Sequence, residues 1–152
     1  MQGDKIAIAD VVPHAGAMLF LDQLISQDED SVVAEAGVDE EHLFATPEGV
    51  PGWVGIEFMA QAIAAWAGCR ARARGEPVRI GFLLGTRRYE CRLQHFAFGS
   101  RLRIEVRREI FGDNGLGMFA CRLFHAGEEI ACANLSVFEP RDAAAFLEGH
   151  SP

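Results

Sequence analysis

The chain lacks a C-x-x-C pair, a basic-then-apolar leader, and any apolar run that would make a comfortable membrane span. Each absence removes a class of protein. Its four cysteines, Cys69, Cys91, Cys121 and Cys132, stand 22, 30 and 11 residues apart, a spacing that suits neither zinc nor a disulfide framework. They read as buried thiols in a reducing compartment, and no metal site is expected from them. Met1 to Asp10 mixes Asp4, Lys5 and Asp10 with short apolar pieces, unlike a secretory signal, which makes the cytoplasm the expected location. The net charge of −8 argues against general nucleic-acid binding.

What is present is an ordinary globular composition over 152 residues, long enough to bury a sizeable core. We expect one domain over 1–140 and a short helical or frayed tail over 141–152. The charge is segregated: eleven arginines stand against three acids between Arg70 and Arg108. That segment suits a basic surface facing an acidic or phosphorylated partner, and equally suits ordinary outward-facing strand residues.

The chain is organised around Val50 to Arg74. Pro51-Gly52 opens a helix-forming run in which every side chain from Trp53 to Cys69 is apolar or small, except Glu57 and Gln61. At about 1.5 Å per residue the run is a rod of roughly 25 Å, too short and too alanine-rich for a membrane span and carrying a carboxylate. No membrane is therefore expected. A helix apolar all round is wrapped by other elements. Glu57 and Gln61, four apart, share one face. An ionised carboxylate in such surroundings costs several kcal/mol unless paired or protonated. Glu57 is thus a candidate functional group, the plainer reading being an acid that favours its own helix start.

Around this helix the pattern is β. Gln23 to Val38 reads as strand material broken by Asp28-Glu29-Asp30, and Val78 to Leu84 and Arg87 to Leu93 as two candidate strands. Arg101 to Arg107 alternates charged and apolar residues, the mark of a half-buried strand. Asp113-Asn114-Gly115 turns into Leu116 to His125, and Ala126-Gly127-Glu128 into Ile130 to Phe138. Strand material, one long apolar helix, then four or five antiparallel strands predicts an α+β hot-dog fold. In it a curved antiparallel sheet wraps one central helix, and dimerisation completes the burial.

The residues also resemble a family, the hot-dog 3-hydroxyacyl-acyl-carrier-protein dehydratases, over nearly the whole chain. Val12-Pro13-His14 through Leu21-Asp22 is similar to that family's L-P-H-R-x-P-F-L-L-V-D opening, and Glu41 to Phe44 to its N-E-x-F-F. Pro51 to Gln61 resembles its P-G-V-L-x-x-E-A-M-A-Q helix start. Trp53 to Glu57 and Gly81 to Arg87 look more narrowly like the dehydratase-like proteins of aryl polyene pigment pathways.

The resemblance implies loss of water from a (3R)-hydroxyacyl thioester, with a histidine taking the α-proton and a helix carboxylate handling the hydroxyl. The substrate would ride on the phosphopantetheine arm of acyl carrier protein, with no further cofactor. Glu57 matches the carboxylate, Gln61 its orienting neighbour, and the Gly52 amide the donor to the thioester carbonyl. Trp53 and Phe58 beside them are candidate substrate-binding residues. The family's histidine, however, lies fourteen residues before the glutamate, where this chain has Leu43. His14 is the expected base if its segment folds over the same pocket, with His42 as the alternative. The other readings are a non-catalytic subunit in a hot-dog heterodimer, as against a homodimer, and an acyl thioesterase using Glu57 to activate water.

Overall fold

The alternation of Arg101–Phe111 fixes the sheet: Leu102, Ile104 and Val106 are buried while Arg101, Arg103 and Arg107 beside them face outward. The computed structural model describes residues 6–78 and 81–140. Its strands are β1 (Gln23–Gln27), β2 (Ser31–Gly37), β3 (Val50–Pro51), β4 (Phe82–Cys91), β5 (His95–Phe96), β6 (Arg101–Phe111), β7 (Leu116–His125) and β8 (Glu128–Phe138). One long helix, α1 (Gly55–Ala73), follows a single 3-10 turn over Gly52–Val54. Six strands form one antiparallel sheet in the order β1-β2-β6-β7-β8-β4, and β3 pairs with β5 apart from it. This is the hot-dog arrangement the pattern predicts.

Both expected hairpin turns form. Ala126 and Gly127 take φ of 52° and 81°, the left-handed pair that matches the twist of β7 and β8. The two strands expected around Thr86 are one strand, β4, whose register against β8 shifts between Leu83 and Gly85 and again between Thr86 and Arg88. Such bulges break the two-residue periodicity without ending the strand. The helix also outruns the expected exit. Arg70 and Arg72 lie in its last turn, where the dipole favours cations, and Gly75 leaves it at φ 70°. The proposed tail over 141–152 lies outside the described residues.

The helix is not enclosed on every side. Phe58, Met59, Ala62, Ala65 and Trp66 are buried against the sheet, whereas Glu57, Ala60, Ala64 and Ala67 form a half-open stripe. Across its back runs the segment before β1. Val11 is fully buried where it crosses Gly68, and a Cβ on Gly68 would stand 1.8 Å from the Val11 carbonyl oxygen. Backbone lies against backbone here, and only glycine permits it.

His42 is partly buried and packs its ring on aromatic side chains of the core. Its ring sits 4.3 Å from that of Phe20 and 5.8 Å from that of Phe58, and its Nδ1 accepts the Phe44 N–H at 3.1 Å. Burial holds its pKa below the ordinary 6.5.

Two outcomes follow. Gly68→Ala, which in an exposed helix would gain about 1 kcal/mol of propensity, should instead cost about 1–3 kcal/mol through overpacking, measured by urea unfolding. The folded state disfavours protonated His42, so the unfolded chain binds more protons just below pH 6.5. Stability should therefore fall as pH drops below 6.5 and level off beneath the folded-state pKa, and His42→Phe should flatten that slope.

Candidate active site

Four residues per helical step of about 400° place Gln61 almost directly over Glu57. Gln61 is completely buried. Its Nε2 donates to Glu57 Oε1 at 3.1 Å and to the Met18 carbonyl at 2.7 Å, and its Oε1 accepts the Phe20 N–H at 2.8 Å. One side chain thereby orients the carboxylate and fastens the segment that carries His14. Gly68 fastens the other end of that segment at Val11.

Between these two fixings, His14 reaches the acid. Its Nε2 lies 3.7 Å from Glu57 Oε1, with the side chains 27% and 37% exposed. The expected pair is therefore assembled within one chain. Glu57 is less deeply buried than its apolar neighbours suggest, because it opens onto a cleft of about 180 Å³ lined by Pro13, His14, Ala60, Ala64, Leu83 and Phe119, among others. Glu57 Oε2 makes no hydrogen bond among the described residues, and His14 Nδ1 is buried without one. The free carboxylate oxygen can serve a ligand while Gln61 holds the other. Nor does Glu57 cap its helix: among the described residues its side chain makes no bond to the helix start, although the acid stands in the first turn where the dipole favours it.

The other expected site residues are placed elsewhere. The Gly52 N–H, expected to meet a thioester carbonyl, donates to Gln94 O at 2.7 Å. Gly52 is needed for space, since a Cβ there would meet Leu93 O at 2.3 Å. Phe58 is fully buried, 5.7 Å from Phe20 and 6.2 Å from Phe96, and does not line the cleft. Trp53 is 60% exposed and stacks edge-on with Phe44 at 5.4 Å. His42, the alternative base, packs among Phe20, Phe44 and Phe58 and is absent from the cleft lining.

Two features escape a reading of motifs. Tyr89, on β4, donates its hydroxyl to the Gly52 carbonyl and fits only because Gly55 has no side chain there, a Cβ lying 2.1 Å from its oxygen. Burial raises its pKa far above 10, so it stays a donor at neutral pH. The second is the alanine stripe at positions 60, 64 and 67, whose three-and-four spacing from Glu57 was the available signal. Among the described residues no three His, Cys, Asp or Glu converge. No helix among them is long and apolar enough to cross a membrane.

Among curated proteins, none matches. Among solved structures, a chain of the dehydratase heterocomplex ApeI:P from Xenorhabdus doucetiae is 27% identical, superposes with a TM-score of 0.88, and is matched over 97% of this chain and 100% of its own. A hypothetical thioesterase with coenzyme A from Streptococcus pneumoniae TIGR4 is 12% identical with a TM-score of 0.61, over 77% of this chain and 84% of its own. The PaaI protein of E. coli, 14% identical at a TM-score of 0.59, is matched over 76% and 80%. At those identities the last two show the fold alone. The ApeP-like family, described as ApeP dehydratase, matches residues 6–148, and the chain belongs to it.

Proposed function

We propose that this chain dehydrates a (3R)-hydroxyacyl thioester in aryl polyene synthesis, the substrate being delivered on the phosphopantetheine arm of acyl carrier protein. The observation that carries this reading is the 3.7 Å approach of His14 Nε2 to Glu57 Oε1 at a cleft. His14 takes a proton from C2, the electrons form the C2–C3 double bond, and the C3 hydroxyl leaves with a proton from Glu57 as water. Gln61 keeps the acid aimed, since its Nε2–H occupies Oε1 and leaves Oε2 for the hydroxyl. The thioester carbonyl needs a donor other than the Gly52 amide, which Gln94 occupies.

A hot-dog partner fits the same reading. β4 closes one edge of the sheet with no strand beyond it among the described residues, and Leu83 and Leu84 on it are 44% and 57% exposed. An open edge with exposed leucines is a ready template for pairing with another chain. The similar Xenorhabdus chain comes from a heterocomplex, which favours a second hot-dog subunit pairing along β4. Carrier-protein contact through the arginine segment is less favoured, because Arg88, Arg92, Arg101, Arg103 and Arg108 already pair with acids of this chain.

Purified chain, alone and mixed with a candidate hot-dog partner subunit, should convert a 3-hydroxyacyl thioester to the enoyl product. His14→Ala and Glu57→Gln should each lower kcat by about 10²-fold or more, while His42→Phe should stay within a few fold. Full turnover by a mixture containing both substitutions would move the chemistry onto the partner. Thiol release from a saturated acyl thioester would indicate hydrolysis instead.

A further inference from the structure

The start of α1 has little of its own to hold it in place. Two glycines, Gly52 and Gly55, stand within four residues of each other, and among the described residues no side chain caps the 3-10 turn over Gly52–Val54 or the helix that follows. Glycine leaves the backbone its widest freedom, and a helix start lacks the preceding hydrogen bonds that steady later turns. Glu57 is only the third residue of α1. The aim of the acid therefore depends on what grips this turn from outside.

The grip comes from the end of β4 and the residues after it. β3 pairs with β5 at Val50 to Phe96 and Pro51 to His95, and the ladder runs on as the Gly52 N–H donates to Gln94 O at 2.7 Å. Leu93 O and Cys91 Sγ crowd the place of a Gly52 side chain, 2.3 and 3.2 Å from its Cβ position. Tyr89 supplies the remaining contact. Whereas Leu83 to Arg88 on β4 are exposed, Tyr89 is half-buried, and its hydroxyl donates to the Gly52 carbonyl, which also accepts the Gly55 N–H. Those two donors fix the peptide plane between Gly52 and Trp53. Gly55 admits the hydroxyl, since a Cβ there would lie 2.1 Å from the Tyr89 oxygen. At this buried helical position, where alanine would favour the helix, the space is taken by the tyrosine instead.

We infer that Tyr89 is a positioning residue for Glu57, its hydroxyl holding the Gly52 carbonyl so that the first turn of α1 keeps the acid in reach of His14 and of a hydroxyacyl group in the cleft. This rests on the dehydration proposed above and adds to it a residue that touches no substrate. Tyr89 does not line the cleft, so its influence passes through the backbone. Burial keeps the phenol protonated well beyond neutral pH, and the donor is therefore always present there. Gln61 holds the carboxylate itself, through Oε1, while Tyr89 holds the turn that carries it. Rates fall steeply when a reacting group is misplaced, by about 10²-fold for 1 Å.

Tyr89→Phe removes the hydroxyl and leaves the Gly55 N–H on the Gly52 carbonyl, so the chain should still fold. In the dehydration assay above, its kcat should fall by about tenfold or more while KM stays within about twofold. A merely structural contact would lower the urea midpoint and leave the kcat of the folded chain unchanged. NMR of the histidine rings needs no turnover: the His14 signals, from a ring 3.7 Å from Glu57, should move in Tyr89→Phe. Gly55→Ala, whose methyl would take the place of the hydroxyl, should cause a similar loss of kcat. The double variant should be no worse than Gly55→Ala alone, because without the hydroxyl the nearest ring atom stands 3.1 Å from that methyl. An unchanged kcat in Tyr89→Phe, unmoved His14 signals, or losses that simply add in the double variant would each overturn the inference. If the unaltered chain dehydrates no 3-hydroxyacyl thioester, the proposed reaction falls, and movement of the His14 signals would still uphold the placement of the acid by Tyr89.

Discussion

The side-chain amide of Gln61 is the interaction on which the site depends. Fully buried, it gives both of its N–H groups and its oxygen to three partners, Glu57, Met18 and Phe20, from two separate parts of the chain. No other uncharged side chain of that reach offers two donors and an acceptor in one plane. Glutamate in its place would present oxygen to the Met18 carbonyl and a second charge to Glu57. A leucine of similar bulk would leave the Phe20 N–H and Met18 carbonyl without their partner, at about 1–3 kcal/mol for each group left unsatisfied in the interior. The same residue therefore belongs to the stability of the fold and to the aim of the acid.

Much of this architecture was legible because periodicity reports burial. Residues 101–107 alternate and form a strand, and residues 53–69 do not alternate and form a helix. β4 was read as two pieces since its two bulges shift the face of each following residue, which looks in sequence like an interruption. The Glu57–Gln61 pair was legible from its spacing alone. The substrate-facing residues were not, and the reason is angular. At about 100° per residue, Phe58 points a quarter-turn from Glu57 and enters the core, where Phe20 and Phe96 meet it. Trp53 shares the face of Glu57 but precedes the first full helical turn, and so stands in solvent beside Phe44. Which side of an all-apolar helix faces a cleft depends on the sheet around it, and only small residues at regular spacing hinted at the answer.

The charged segment teaches the same distinction between count and placement. Eleven arginines within Arg70 to Arg108 invited a basic surface, yet β2 runs antiparallel beside β6 and brings Glu35 to Arg101, while Asp30 in the preceding turn meets Arg108. Glu90 and Glu105 pair with Arg88 and Arg103 two residues away, whereas Glu35 and Asp30 are more than sixty positions from their arginines. Sequence bookkeeping in windows cannot see them. Exposed pairs of this kind are worth about 0–1 kcal/mol each, so they organise the outer face of the sheet without holding it together. Arg108 also lies over the Trp66 ring, 5.8 Å from its centroid.

The placement of the two histidines has a chemical consequence. His42 has its Nδ1 committed to Phe44 and its ring wedged among aromatic side chains, surroundings that disfavour the charged form a base must reach. His14 faces a carboxyl group at 3.7 Å, so an imidazolium formed there has a counter-charge at hand. In the proposed reaction His14 gains the proton from C2 while Glu57 gives one to the hydroxyl, which leaves an imidazolium beside a carboxylate. The charges created are adjacent and opposite, and in a partly enclosed cleft their attraction offsets part of the cost of separating them. One proton passing from His14 Nε2 to Glu57 then restores both groups, with no other residue required. A base carried on a strap and held by Gln61 at one end and Gly68 at the other can thus do the work of a loop histidine, provided both fixings keep it within reach of the acid.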